Sequence, residues 1–210
     1  QKCGFRLAQS LPNLGDLTSR IHSLEFHHPD ARVLVDLQWH IANGYIAPPL
    51  AEEELFRRTT TLSILNHPIP FFQDPLVLFL LCVHGANNGW CELRALLDLA
   101  MMTKIMEEPV WREVTEWMEA RGILTMLNTG ILLANQLLGA AIPEAATAKI
   151  NPHAHILAGA IQNHWQEKGG GRPAAWQRFI WDLRFREGWR EKSRYILFRM
   201  RPTKTDLLNP

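Results

Sequence analysis

Arg32-Val33-Leu34-Val35-Asp36-Leu37-Gln38-Trp39-His40-Ile41 alternates with a period of two. Val33, Val35, Leu37, Trp39 and Ile41 fall on one side of an extended chain, and Leu34, Asp36, Gln38 and His40 fall on the other. A helix would scatter these residues around its axis, so the spacing predicts a strand with one apolar and one polar face. Next-but-one residues stand roughly 7 Å apart, which sets a carboxylate, an amide and an imidazole in a row above a packed face. Sheets present metal ligands and proton-transfer groups in this way. The plainer alternative is a half-buried antiparallel strand whose polar face meets water.

Working outward, Ile21–His28 reads as a second strand, and Pro29-Asp30 turns it back against the first. Glu25 then lies across the ladder from the Asp36 region, with the register left open. Upstream, Gln1–Asn13 reads as a helix end and turn closed by Gly4, followed by a polar loop from Leu14 to Arg20. Downstream, Asn43-Gly44 and Pro48-Pro49 end this part of the chain. Ala51–Arg58 runs from acidic to basic, as suits a short helix, and Thr59–Leu65 is β-branched and strand-like, turned by Asn66–Pro70.

From Gln73 the period becomes helical. Leu76–His84 is apolar nearly all round and is expected to be the central buried helix. Gly85–Gly89 interrupts it, and Trp90–Lys104 resumes with Leu93, Leu96, Leu97, Ala100 and Met101 as its apolar face. Trp111, Val114, Trp117 and Met118 form the next stripe, closed by Gly122. A further stripe runs from Ile123 to Leu138 and is closed by Gly139, and Asn151–Trp165 adds another helix. Gly169-Gly170-Gly171 is a connector, because a phosphate loop needs a preceding buried strand and, in its commonest form, a following Lys-Ser/Thr. Trp176, Phe179, Ile180 and Leu183 make the last stripe, ahead of Arg- and Lys-rich turns and a tail from Pro202 to Pro210. The expected class is α+β: a small antiparallel sheet in residues 1–72, then a helical bundle in residues 73–210.

With 210 residues, 47% of them hydrophobic, the chain can bury a sizeable core. The apolar run Pro75–Val83 is far shorter than the roughly 20 residues that cross a bilayer, and no signal peptide opens the chain, so a cytoplasmic location is expected. Cys3, Cys82 and Cys91 match neither zinc spacing nor a disulfide scaffold and are expected to be reduced thiols. The formal net charge of +1 hides a basic segment: Arg172–Lys204 holds ten of the 22 basic residues against three acidic ones. Such a segment can meet phosphates, acidic lipid or an acidic face of its own protein.

Two segments taken together resemble a known family. They are Val35-Asp36-Leu37-Gln38-Trp39 and, after a spacer, Leu80-Leu81-Cys82-Val83-His84-Gly85-Ala86-Asn87-Asn88-Gly89-Trp90-Cys91-Glu92-Leu93-Arg94, running on to Leu97-Asp98-Leu99-Ala100. The pair is similar to an uncharacterised bacterial nucleotidyltransferase family often associated with surface-polysaccharide gene clusters, a branch of the DNA polymerase beta-like superfamily. The similarity extends loosely from Gly4 to about Pro143.

The resemblance implies a minimal nucleotidyltransferase sheet followed by a helical domain. It also implies Mg²⁺ or Mn²⁺ as cofactor, with a nucleoside triphosphate and an unspecified acceptor as substrates. In that superfamily an Asp-x-Asp pair and a third carboxylate on a neighbouring strand bind two divalent ions, and Asp36 matches the third position. Two hard cations suit the chemistry, which needs an activated hydroxyl, a neutralised triphosphate and a stabilised pyrophosphate. By the same resemblance the Asp pair precedes the segment matching Lys2–Phe5, so the natural chain is expected to begin upstream of Gln1 and the chain as given to be inactive. Leu14-Gly15-Asp16-Leu17-Thr18 offers only the first acid of such a pair and reads as a loop.

Gln38 stands where the family has a His after the strand carboxylate, and Asn88 where it has a second His near the helix junction. Substrate contacts are therefore expected from Gln38, His40, His84, Asn88 and Trp90. Three of them have a structural alternative: His40 as a strand-end surface residue, His84 bonded to freed backbone groups, Trp90 packing the junction. The competing function is a non-catalytic helical interaction module. Nucleic-acid binding through the basic segment is not expected, because its arginines alternate with core-type Trp, Phe and Ile.

Overall fold

Val33–Gln38 forms the strand that its alternation predicts, and Ser23–His28 pairs with it antiparallel. The computed structural model describes residues 4–7, 23–30, 32–38, 52–169, 171 and 173–200. The chain divides into two compact units, Gln1–Gly44 and Tyr45–Pro210.

In the first unit, β1 (Arg6–Leu7), β2 (Ser23–His28) and β3 (Val33–Gln38) form an antiparallel sheet in the order β1-β2-β3. The register sets Glu25 opposite Asp36, Phe26 opposite Val35, and His27 opposite both Leu34 and Arg6. Strand alternation then places Arg6, Glu25, His27, Leu34 and Asp36 on one face. Leu7, Leu24, Phe26, His28, Val33, Val35 and Leu37 share the other. Two expectations need correcting. Arg6–Leu7 is a strand and not part of a helix end: the left-handed Gly4 (φ 74°) permits either, and pairing with His27 and Phe26 decides. Val33, Val35 and Leu37 are also exposed, so the apolar face of β3 is less covered than its alternation implies.

The second unit opens with α1 (Glu52–Arg57) and a hairpin of β4 (Thr59–Ile64) and β5 (His67–Phe72). The sequence shows only the first of these strands, because Pro68 and Pro70 argue against the second. Leu65 and Asn66 both adopt left-handed φ (50° and 64°), the conformation of a two-residue hairpin turn. In such a turn the closing pair Ile64–His67 is hydrogen-bonded, and bonded pairs then alternate along the ladder. Pro68 and Pro70, opposite Ser63 and Thr61, therefore fall on unbonded positions and cost no ladder bond. The same parity continues to the Gln73 N–H, which donates to the Arg58 carbonyl at 2.8 Å.

The helices are α2 (Asp74–Asn87), α3 (Leu93–Ile105), α4 (Glu108–Ala120), α5 (Leu124–Leu138), α6 (Glu144–Thr147), α7 (Pro152–Lys168), α8 (Ala175–Arg184) and α9 (Trp189–Met200). Gly122 and Gly139 take left-handed φ just past α4 and α5, where the stripes predict the ends. The Asn151 side chain caps α7 by accepting from the Ala154 N–H at 2.9 Å. The central helix is α5 rather than α2: every residue from Leu124 to Ala134 is buried, and α2, α3, α4 and α7 pack around it. Its buried threonine hydroxyls and the Asn128 amide N–H find acceptors inside the protein. Thr129 donates to the Thr125 carbonyl (2.7 Å) and Asn128 to the Lys149 carbonyl (2.8 Å).

On α3 the buried face is Ala95, Leu96, Leu99 and Ala100, which leaves Leu93, Leu97 and Met101 exposed against expectation. The residues read as Arg- and Lys-rich turns after Leu183 include a full helix, α9. The hairpin segment is tied to the bundle at Trp117, whose ring packs on Phe79 (4.5 Å) and lies under the guanidinium groups of Arg58 (4.4 Å) and Arg121 (4.8 Å). Arg121 also reaches Glu54 at 3.2 Å.

Candidate functional site

The residues singled out by sequence fall in separate units, and each group stands by itself. In the first unit Asp36 sits mid-strand on β3, exposed, on the polar face and directly opposite Glu25. Gln38 ends the same strand and pairs in register with Ser23. His40 lies outside the described residues. Glu25 and Asp36 thus place two hard oxygen donors side by side, the donor type that Mg²⁺ or Mn²⁺ prefers. Among the described residues no group of three or more His, Cys, Asp or Glu is gathered that could hold a metal ion. The set fits such a cation in kind but falls short of two cations in number.

The second group surrounds the break between α2 and α3. The Asn88 side-chain amide nitrogen and His84 Nε2 lie 3.1 Å apart, within hydrogen-bond distance across one helical turn. His84 is exposed and Asn88 half-buried. Gly89 and Trp90 both take left-handed φ (65° and 54°), which turns the chain sharply out of α2. The Trp90 N–H donates back to the Gly85 carbonyl (2.7 Å), and the Trp165 indole donates to the Trp90 carbonyl (3.1 Å).

The Trp90 ring itself is fully buried, held between Gly85 on α2 and Gly130 on α5, where a β-carbon on either glycine would overlap it. Packing is therefore the role its position gives it, since no face of the ring reaches solvent. Small residues that let two helices close on an indole account for the glycines at both positions.

Beside this break lies a cavity of about 410 Å³, lined among others by Asn87, Asn88, Cys91, Glu92, Arg178 and Arg199. That is a volume suited to a small-molecule ligand. Arg178 closes one wall: its guanidinium donates to the Ala86 carbonyl (2.9 Å) and pairs with Asp182 (2.7 Å). Asp182 in turn accepts from the Tyr195 hydroxyl at 2.8 Å. The helix break, α8 and α9 are thereby cross-linked by one carboxylate. Burial pushes the Cys91 thiol up to about 11 against the pull of Arg178, which makes it a poor nucleophile at neutral pH.

Sequence reasoning missed Glu92 and Arg178 as residues that line the cavity with Asn88, and Asp182 as the partner of Arg178. The available signal was the basic segment, whose arginines could meet an acidic face of their own protein; Arg178 does so through Asp182, four residues away.

The Asp36 strand and the Leu80–Ala100 break, each now located, are joined by a comparison over most of the chain's length. A family model described as "Uncharacterised nucleotidyltransferase" matches residues 3–139. No curated protein and no solved structure matches the chain. The matched span covers β1 to β5 and α1 to α5, and the chain belongs to this uncharacterised nucleotidyltransferase family.

Proposed function

We propose that the chain carries part of a cytoplasmic, metal-dependent nucleotidyltransferase that moves a nucleoside monophosphate from a nucleoside triphosphate to an acceptor hydroxyl. Residues 1–72 would contribute the transferase part and residues 73–210 the helical part. The observation that carries the reading is the exposed Asp36 on the polar face of β3, in a chain of this family. Asp36 is the proposed metal ligand and catalytic carboxylate, with Glu25 beside it. Gln38, His40, His84 and Asn88 are the proposed substrate contacts.

A divalent cation there would neutralise the triphosphate and the departing pyrophosphate. Asp-x-Asp does not occur in the sequence, so residues 1–210 are proposed to be inactive on their own. Among the described residues no helix is long and apolar enough to cross a membrane.

The test is Mg²⁺-dependent pyrophosphate release from nucleoside triphosphates by residues 1–210 and by any longer natural form of the chain, each compared with its Asp36→Asn variant. Full activity in the mutant would remove Asp36 from the mechanism.

A second reading is a non-catalytic helical interaction module. It is favoured by the exposed stripe Leu93, Leu97, Met101 and Ile105 on α3, which recurs every four residues. Pyrophosphate release by any form of the chain would exclude this reading as the whole function.

A further inference from the structure

The outer face of α9 pairs exposed apolar side chains with cations, and the other described residues of the second unit leave it uncovered. Trp189 is 79% exposed, Leu197 62% and Met200 73%, whereas Tyr195 on the opposite side is 1% exposed and packs against α8. At the helical repeat, Trp189, Ser193, Leu197 and Met200 fall within an arc of roughly 80°. Arg190 and Arg194 border that arc on one side, and Lys192 and Arg199 on the other. The helix holds a single acid, Glu191, which lies towards the Tyr195 side with its carboxylate on Arg194 at 2.8 Å. Arg190, Lys192 and Arg199 therefore frame the apolar strip as cations, Arg194 being paired with Glu191, and no acid lies within the strip.

We propose that α9 docks this face on an anionic lipid surface, lying in the plane of the bilayer. A 12-residue helix is about 18 Å long, too short to span, and an apolar stripe framed by Arg and Lys is the pattern of a helix seated at the headgroup boundary. Trp189, at its start, has the amphipathic ring favoured at that depth. A second copy of the chain is a poorer occupant, because α9 against α9 would oppose two like-charged sets of cations. This inference does not depend on the proposed nucleotidyl transfer.

The test is co-sedimentation of the full chain with vesicles of phosphatidylcholine alone or of phosphatidylcholine mixed with phosphatidylglycerol. Binding is expected to the mixed vesicles only and to fall as salt is raised. Trp189→Ser and Leu197→Ser, both at exposed positions, should each weaken it about tenfold. Arg190→Ala with Lys192→Ala should weaken it on the order of 25-fold. The proposal is overturned by equal binding to both vesicle types, by no binding to either, or by binding that these substitutions leave unchanged. A dimer seen by light scattering and dissolved by Leu197→Ser, without vesicle binding, would also overturn it and give the face to a second copy.

Discussion

Glu25 and Asp36 stand directly opposite one another in the β2–β3 ladder, with their side chains on the same face. Residues so placed have β-carbons about 5 Å apart, close enough for Glu25 to act on whatever Asp36 binds. In an active natural form of the chain, Glu25→Gln should lower Mg²⁺-dependent pyrophosphate release about 10- to 100-fold, the range for a group that supports a ligand. It should also raise the Mg²⁺ concentration needed for half-maximal rate. Asp36→Asn should cost more. A larger loss from Glu25→Gln than from Asp36→Asn would exchange the two assignments.

Trp90 fills a slot with glycine on two sides, and Leu99 Cδ2 lies 2.9 Å from where a Gly130 β-carbon would sit. Gly85→Ala or Gly130→Ala therefore forces either the indole or a helix to move, and overpacking of this kind costs about 1–3 kcal/mol. Urea unfolding should show the loss as a lower midpoint with an unchanged slope. If both alanine variants match the parent, the indole has room that its burial denies.

Much of this fold was legible because apolar spacing and glycine punctuation act locally. The alternation in Val33–Gln38 and the glycines after α4 and α5 located their elements directly. What failed to show was what depends on residues distant in sequence. The strand at Arg6–Leu7 exists through its pairing with Phe26 and His27, and β5 tolerates its prolines only because of its register with β4. Hydrophobicity alone also chose the wrong central helix. The most apolar stretch, in α2, is less enclosed than α5, whose Thr125, Asn128 and Thr129 lower its apparent hydrophobicity yet bond internally. At the candidate site, Asp36 and the His84–Asn88 turn were visible as motifs, but Arg178 reaches Ala86 across 92 residues of sequence, a separation no local pattern encodes.

Asp182 joins Arg178 to Tyr195, and Arg178 in turn holds the Ala86 carbonyl beside the helix break. Asp182→Asn keeps the shape but removes the charge that both partners bond, at a cost of about 1–3 kcal/mol. Arg178→Lys should loosen the break as well, since a point charge cannot replace a fork that reaches two acceptors. Amide hydrogen exchange at Gly89 and Trp90 should quicken in both variants while α5 stays protected. Unchanged exchange at the break would show that Arg178 plays no part in holding it.

The alkaline limb of stability follows from the same region. Burial raises the Cys91 thiol to about 11 and pushes up both the Cys82 thiol and the Tyr195 hydroxyl, the last helped by the neighbouring Asp182. For a group whose folded pKa lies above its unfolded value, the stabilising contribution is complete below the unfolded value and is lost as pH rises towards the folded one. The unfolded values lie at about 8.5 for a thiol and about 10 for a tyrosine. Stability should therefore hold up to about pH 8.5 and decline steadily through pH 11, as measured by urea midpoints across that range. Cys91→Ala should flatten the first part of the decline. Burial keeps the Cys91 thiol protonated and enclosed at pH 8, so iodoacetamide should leave it unmodified in the folded protein and alkylate it after unfolding. Rapid modification in the folded state would place the thiol in solvent and remove the share of the limb that Cys91 contributes.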